Sequence, residues 1–188
     1  LPANNDPIIT ASAPADNDFM GAINFRGDDS GGNISTYAQI LSRALDVTSA
    51  SEDGQLLFVI DKAGTLVSGL NVGSSEVVVN DDSADIDFRV ESNNQAGMIF
   101  VDAGNDRVGI GTVSPNHDLH LHKSTSDGNF LLITNSTTGS NSNDGAAIGL
   151  AADETLLIYH QESSAIRFGT ASTERMRILA GGGLTFNG

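Results

Sequence analysis

QLLFVIDKAGTLVSGLNV, residues 55–72, decides the fold class. Gln55–Asp61 is rich in large aliphatic and aromatic residues and reads as a strand. Lys62-Ala63-Gly64 follows with turn chemistry, and Thr65–Val72 restarts as a return strand. A tight hairpin needs positive φ at its central residues, which is why Gly, Asn and Asp gather there. The same device recurs along the chain. Phe19–Arg26 breaks at GDDSGGN (27–33), and Ile86–Val90 leads through ESNNQAG to Met98–Asp102, which turns at AGND into Arg107–Gly111. Leu156–His160 is expected to turn through QESS into Ala165–Gly169, and Met176–Leu179 through AGGG into Leu184–Phe186. The expected class is all-β, built of short antiparallel strands and hairpins.

FVIDKAGTL (58–66), FVDAGNDRV (100–108) and ILAGGGL (178–184) share a scheme of apolar strand, turn with Ala-Gly, and apolar restart. Met98 and Met176 are read as equivalent, with Phe88 and Phe168 upstream of them, as in a duplication with a loop indel. One segment pulls against strand. Tyr37, Ile40, Leu41, Ala44 and Leu45 fit the i, i+3, i+4, i+7, i+8 template of an amphipathic helix, with Ser35 or Thr36 as N-cap. Periodicity alone therefore predicts a helix over 36–48.

Composition sets the outer limits. The 188 residues carry 9 Lys and Arg against 24 Asp and Glu, a net charge of −15, with 21 Gly, no Cys and no Trp. So acidic a chain will not grip a phosphate backbone, because that binding rests on Lys and Arg displacing counterions. No apolar run is long enough to span a membrane as a helix. Without Cys there is no disulfide frame and no thiolate metal site. Aromatics at 5% leave little bulk for a thick monomeric core and favour thin layers or an assembly of chains. Residues 1–18, LPANNDPIITASAPADND, read as an extended leader, strand-like only at Ile8–Thr10, with no intact signal peptide. The start at Leu1 and the abrupt end at Gly188 are read as those of a segment of a longer chain. The division expected is a leader (1–18), a β-meander (19–73), a β-repeat module (74–123) and a second β-repeat module (124–188).

Three motifs resemble a known family. YAQILSRALDVTSASEDGQLLFVIDKAGTL (37–66) looks like a module of tailed-bacteriophage tail-fibre and appendage proteins. DIDFRVESNNQAGMIFVDAGNDRVGIGTVSP (85–115) resembles their Phe-Val-Asp…Val-Gly-Ile-Gly-Thr…Ser-Pro repeat, and TERMRILAGGGLTFNG (173–188) their Glu-Arg-Met-Arg-Ile strand with its glycine turn. The likeness covers about residues 19–188 and departs where AGGGLTFNG replaces a second full Val-Gly-Ile-Gly-Thr. It implies a virion tail fibre outside the cell, an elongated, intertwined homotrimer, and contacts with other tail proteins and with a bacterial surface glycan or protein. It names no receptor, carries no catalytic residue across, and shifts the reading of 36–48 to strand. The competing readings are a cellular extracellular filament or adhesin subunit, and a segment of a glycan-degrading tailspike.

Chemistry-bearing residues are sparse. No Gly-x-Ser-x-Gly elbow accompanies the four His at 117, 120, 122 and 160. GIGT (109–112) lacks the Lys and glycine spacing of a phosphate loop. Asp81, Asp82, Asp85 and Asp87, or Glu52 with Asp53, are candidate paired carboxylates, and DND (16–18), DDS (28–30) and NDDSADID (80–87) offer oxygen ligands for calcium, but all stand in polar turns where solvated carboxylates are the rule. The chain is read as non-enzymatic. Gly109 and Gly111 flank Ile110 and suggest close backbone approach at a trimer axis. In HDLHLHK (117–123), strand alternation would set His120 and His122 on one face and Leu119 and Leu121 on the other. About a threefold axis, three such pairs would offer six imidazoles, an octahedral set suited to iron(II) or nickel(II). The His-x-His pattern of some phage fibres, which this one resembles, implies such an iron site.

Overall fold

The structure, a computed structural model, describes residues 13–187, so the leader's Ile8–Thr10 lies outside the described residues. Those residues are all-β, in antiparallel sheets that do not close. The chain divides into two units, Leu1–His120 and Leu121–Gly188.

In the first unit, β1 (Phe19–Asp28), β2 (Ile34–Asp46), β3 (Asp53–Lys62), β4 (Thr65–Val72) and β5 (Val77–Val79) form a five-stranded meander in sequence order. The segment read by periodicity as helix is the long strand β2. It pairs with β1 along one edge and β3 along the other, and side chains of those neighbours flank its own on both faces. That is why period two was weak: Ile40 and Leu41 point to opposite faces and are both half-buried. Its polar residues are met across the strands. The Gln39 side-chain amide donates to Asn24 Oδ1, and the Arg43 guanidinium lies 5.7 Å from the Phe19 ring centroid.

The turns follow their composition. Between β1 and β2 the Asp29 carboxylate accepts from the Gly31 and Asn33 amides, each at 2.8 Å. The Asn33 backbone and side chain, and then the Gly31 amide, hold the Asp29 carboxyl below its ordinary value of 3.8. Because the folded value is depressed, this contribution is present above about pH 4 and is lost as pH falls through the folded value. In a pH titration followed by NMR, the Gly31 and Asn33 amide shifts should move together with a midpoint below 3.8. A midpoint at or above that value contradicts the capping role.

The β3–β4 turn has Ala63 and Gly64 at φ 54° and 83°, and Asp61 accepts from the Gly64 amide at 2.8 Å. A second sheet follows, with β6 (Phe88–Val90), β7 (Ile99–Asp102), β8 (Arg107–Ile110) and β9 (Leu119–Leu121) in sequence order. Its β7–β8 turn repeats the device, with Asp102 accepting from the Asn105 amide three residues on at 3.0 Å. The likeness of residues 58–66 to 100–108 is thus a shared carboxylate-capped hairpin.

The second unit holds β10 (Asn129–Ile133), β11 (Ala146–Leu150) and β12 (Leu156–His160) as one sheet. Another comprises β13 (Ile166–Thr170), β14 (Thr173–Ile178) and β15 (Leu184–Phe186). Two sequence expectations change here. β12 does not turn through QESS onto β13: Gln161 and Glu162 instead bond Gly145, whose carbonyl accepts from the Gln161 amide at 2.8 Å while its amide donates to the Glu162 carboxylate at 2.8 Å. The methionines are not equivalent either. Met176 stands opposite Phe168 within β14, whereas Phe88 stands opposite Val101 and Met98 precedes β7.

The glycines of the Val-Gly-Ile-Gly motif are explained within the chain. A Cβ on Gly109 would lie 2.5 Å from the Thr112 carbonyl oxygen, and Gly111 is left-handed at φ 81°. A Cβ on Gly31 would meet only the side-chain ends of Asn33 and Asp29, at 3.1 and 3.2 Å. Gly109→Val should therefore lower the urea midpoint clearly, by about 1–3 kcal/mol of overpacking, while Gly31→Val costs much less. Equal tolerance at the two sites would contradict the contact with Thr112.

Candidate functional surface

The register of β1–β5 sorts the sheet into two unlike faces. One carries three apolar rows across the strands. The central row is Ile23, Ile40, Phe58, Leu70 and Val79, each opposite the next. Flanking rows contribute Phe25, Ala38, Ile60 and Val67 on one side, and Ser42, Leu56, Val72 and Val77 on the other. These rows hold no charged side chain, although the chain carries 24 Asp and Glu. Arg26 and Lys62 stand one step beyond them. The face is bare, with Ile23 56%, Phe25 51% and Val77 65% exposed.

The opposite face is mixed, with Ala22, Leu41, Leu57 and Val78 in one row beside Asn71, and it is covered over β3 and β4. A β-bulge sets Phe58 opposite Leu70 and Val59 opposite Ser68, leaving Gly69 as the extra residue. The bulge brings Ser68 and Asn71 to the same face, where plain alternation would part them. Asp82 accepts from the Ser68 amide at 2.6 Å, and Asp81 from the Asn71 side-chain amide at 2.7 Å. Asn71 in turn accepts from Gln55 at 2.8 Å. Ser68, Asn71 and Val59 are consequently buried. The sheet turns its closed side to its own chain and leaves its apolar side open.

In the second unit, Leu131, Ile148 and Ile158 form a cross-strand row, with Ile133, Leu150 and Leu156 on the same face. All six are exposed. The other face of this sheet is also apolar, and Phe130, Leu132, Ala147, Leu157 and Tyr159 line a hollow of about 340 Å³ with Ser142 and Gln161. Antiparallel sheets commonly leave one face in water, but that face is then polar. Here both are apolar.

Among the described residues no large side chain is fully buried, and the buried apolar residues are Val59, Phe100 and Ala147.

The candidate carboxylates have local duties. Besides the bonds of Asp81 and Asp82, Asp87 accepts from the Ala103 amide at 3.0 Å, and Asp85 pairs with Lys62 at 3.8 Å. Asp53 opens β3 beside Glu52, and both are exposed. His120 lies half-buried in β9 and its Nδ1 accepts from the Asn116 amide at 3.4 Å. β9 ends at Leu121, so His122 lies beyond the strand and is exposed, as is Leu119 at 59%. No group of three or more His, Asp or Glu gathers as a metal site among the described residues. A site on a threefold axis would draw only two ligands from each chain.

No protein-family model matches the sequence, and no curated protein matches it significantly.

Proposed function

We propose that this chain is a structural, non-enzymatic segment of a tailed-phage fibre, assembled as a homotrimer on the outside of the virion. The observation that carries the reading is the uncharged apolar face of β1–β5, bare in the single chain. Apolar surface on this scale is stable in water only when covered, and large exposed apolar patches mark interaction surfaces. The tail-fibre motifs at 37–66, 85–115 and 173–188 supply the biological setting. The role is mechanical: the segment holds a distal tip away from the particle, joins other tail proteins along the fibre, and meets host surface glycans or proteins through its loops.

Electron microscopy of purified phage particles with an antibody raised against this chain tests the setting. Gold label along tail appendages is expected. Label confined to filaments on cells would overturn the phage assignment in favour of a cellular adhesin.

A further inference from the structure

We infer that the apolar face of β1–β5 packs against the same face of other copies of this chain, with the Ile23–Ile40–Phe58–Leu70–Val79 row at the centre of the contact and the Ser68–Asn71–Asp81–Asp82 side turned to water. The inference rests on the assembled-fibre reading above and assigns the surface that does the assembling.

Three observations select this face and this occupant. The first is area. The three rows cover about five residues of each strand, so five strands about 4.8 Å apart with a rise of about 3.3 Å per residue give roughly 400 Å². Three such faces in a trimer reach the roughly 1,200 Å² at which specific stable interfaces begin. The three-stranded β10–β12 face measures roughly 240 Å² by the same arithmetic and falls well short alone.

The second is charge. Two copies each carrying −15 repel one another, and the repulsion is least where no carboxylate must be desolvated. The three rows supply such a surface: Arg26 and Lys62 stand beyond one flank, and Arg43, Asp46, Glu52 and Asp53 gather only beyond Ser42 at the other rim. A basic partner would gain nothing here, whereas the opposite face presents Asp81 and Asp82.

The third is the condition of the edges. β1 carries irregularities at Phe19/Gly21 and Phe25/Arg26, and β5 is three residues long. Bulged and short edge strands discourage edge-to-edge pairing. With the edges blunted and the opposite face closed over β3 and β4, the association left is burial of the apolar faces, which in a trimer turn together toward the common axis.

Sedimentation velocity on the full chain tests the assignment with Ile23→Asp, on edge strand β1, and Phe58→Asp, on central strand β3. Gln39→Asp, on the opposite face of β2, is the control. Circular dichroism is recorded for each. The parent and Gln39→Asp should sediment as oligomers. Ile23→Asp and Phe58→Asp should weaken assembly at least tenfold in concentration midpoint while keeping their strand signal. Should Phe58→Asp lose that signal, Ile23→Asp, at 56% exposure on an edge, decides. An oligomeric parent with both variants equally oligomeric would overturn the face assignment and leave the fibre reading standing. A monomeric parent would overturn the fibre reading itself.

Discussion

Gly149→Val is expected to dismantle the β10–β12 sheet. Gly149 sits in the central strand β11, opposite Phe130 on one side and Leu157 on the other. The Phe130 ring lies against it, and a Cβ placed there would sit 2.8 Å from both Phe130 Cα and Phe130 Cδ1, and closer still to the Asn129 carbonyl oxygen. Two of those three atoms are backbone, so no rotamer change relieves the clash, and the β10–β11 ladder must part. Overpacking of this kind costs about 1–3 kcal/mol even where side chains can adjust, and the loss here should stand at or above the upper end. Three strands are about the fewest that hold together as a sheet, so detaching β10 should release the whole of 129–160. The checks are the urea midpoint and limited proteolysis of this region. Gly181→Val is the control, since a Cβ there meets nothing within 4 Å. Equal midpoints for Gly149→Val and the parent would contradict the packing described.

Asp82→Ala should destabilise the first unit by about 1–3 kcal/mol, the cost of leaving a buried donor unsatisfied. The donor is the amide of Ser68, a residue 5% exposed, which gives its proton to Asp82 at 2.6 Å. Asp82→Asn keeps an acceptor oxygen and should recover much of the loss. Asp81→Ala removes only a side-chain bond from Asn71 and should cost less. Chemical denaturation measures all three. The ranking Asp82→Ala, then Asp81→Ala, then Asp82→Asn is expected, and an Asp82→Ala protein as stable as the parent would contradict it.

These two sites mark what the amino-acid order reveals and what it hides. The hairpin turns were legible because Asp61, Gly64, Asp102 and Asn105 act locally, within three residues of one another. β2 was obscured because a central strand is half-covered on both faces, so Ile40 and Leu41 are both apolar and a helical spacing emerges by coincidence. β10 and β11 were passed over. Twelve residues separate them with no hairpin signal, and AAIGL has few of the β-branched and aromatic residues that announce a strand. The glycine in that run makes sense only beside Phe130.

The place of the apolar face was not legible. Few aromatics and many short strands pointed only to thin layers. Which residues share a face depends on the register of five strands and on the bulge at Gly69, which sets Ser68 and Asn71 together against the count of two. The carboxylates at 81 and 82 looked like solvated turn residues, yet they close part of the sheet's other side. At His120 and His122 the spacing was plain, but the end of β9 at Leu121 was not.

Equilibrium sedimentation of the unmodified chain at micromolar concentration tests the central proposal, that other copies cover the bare faces, most directly. Three chains of 19.5 kDa each should sediment as a species of about 58 kDa. A stable single chain of 19.5 kDa across that concentration range would contradict the account.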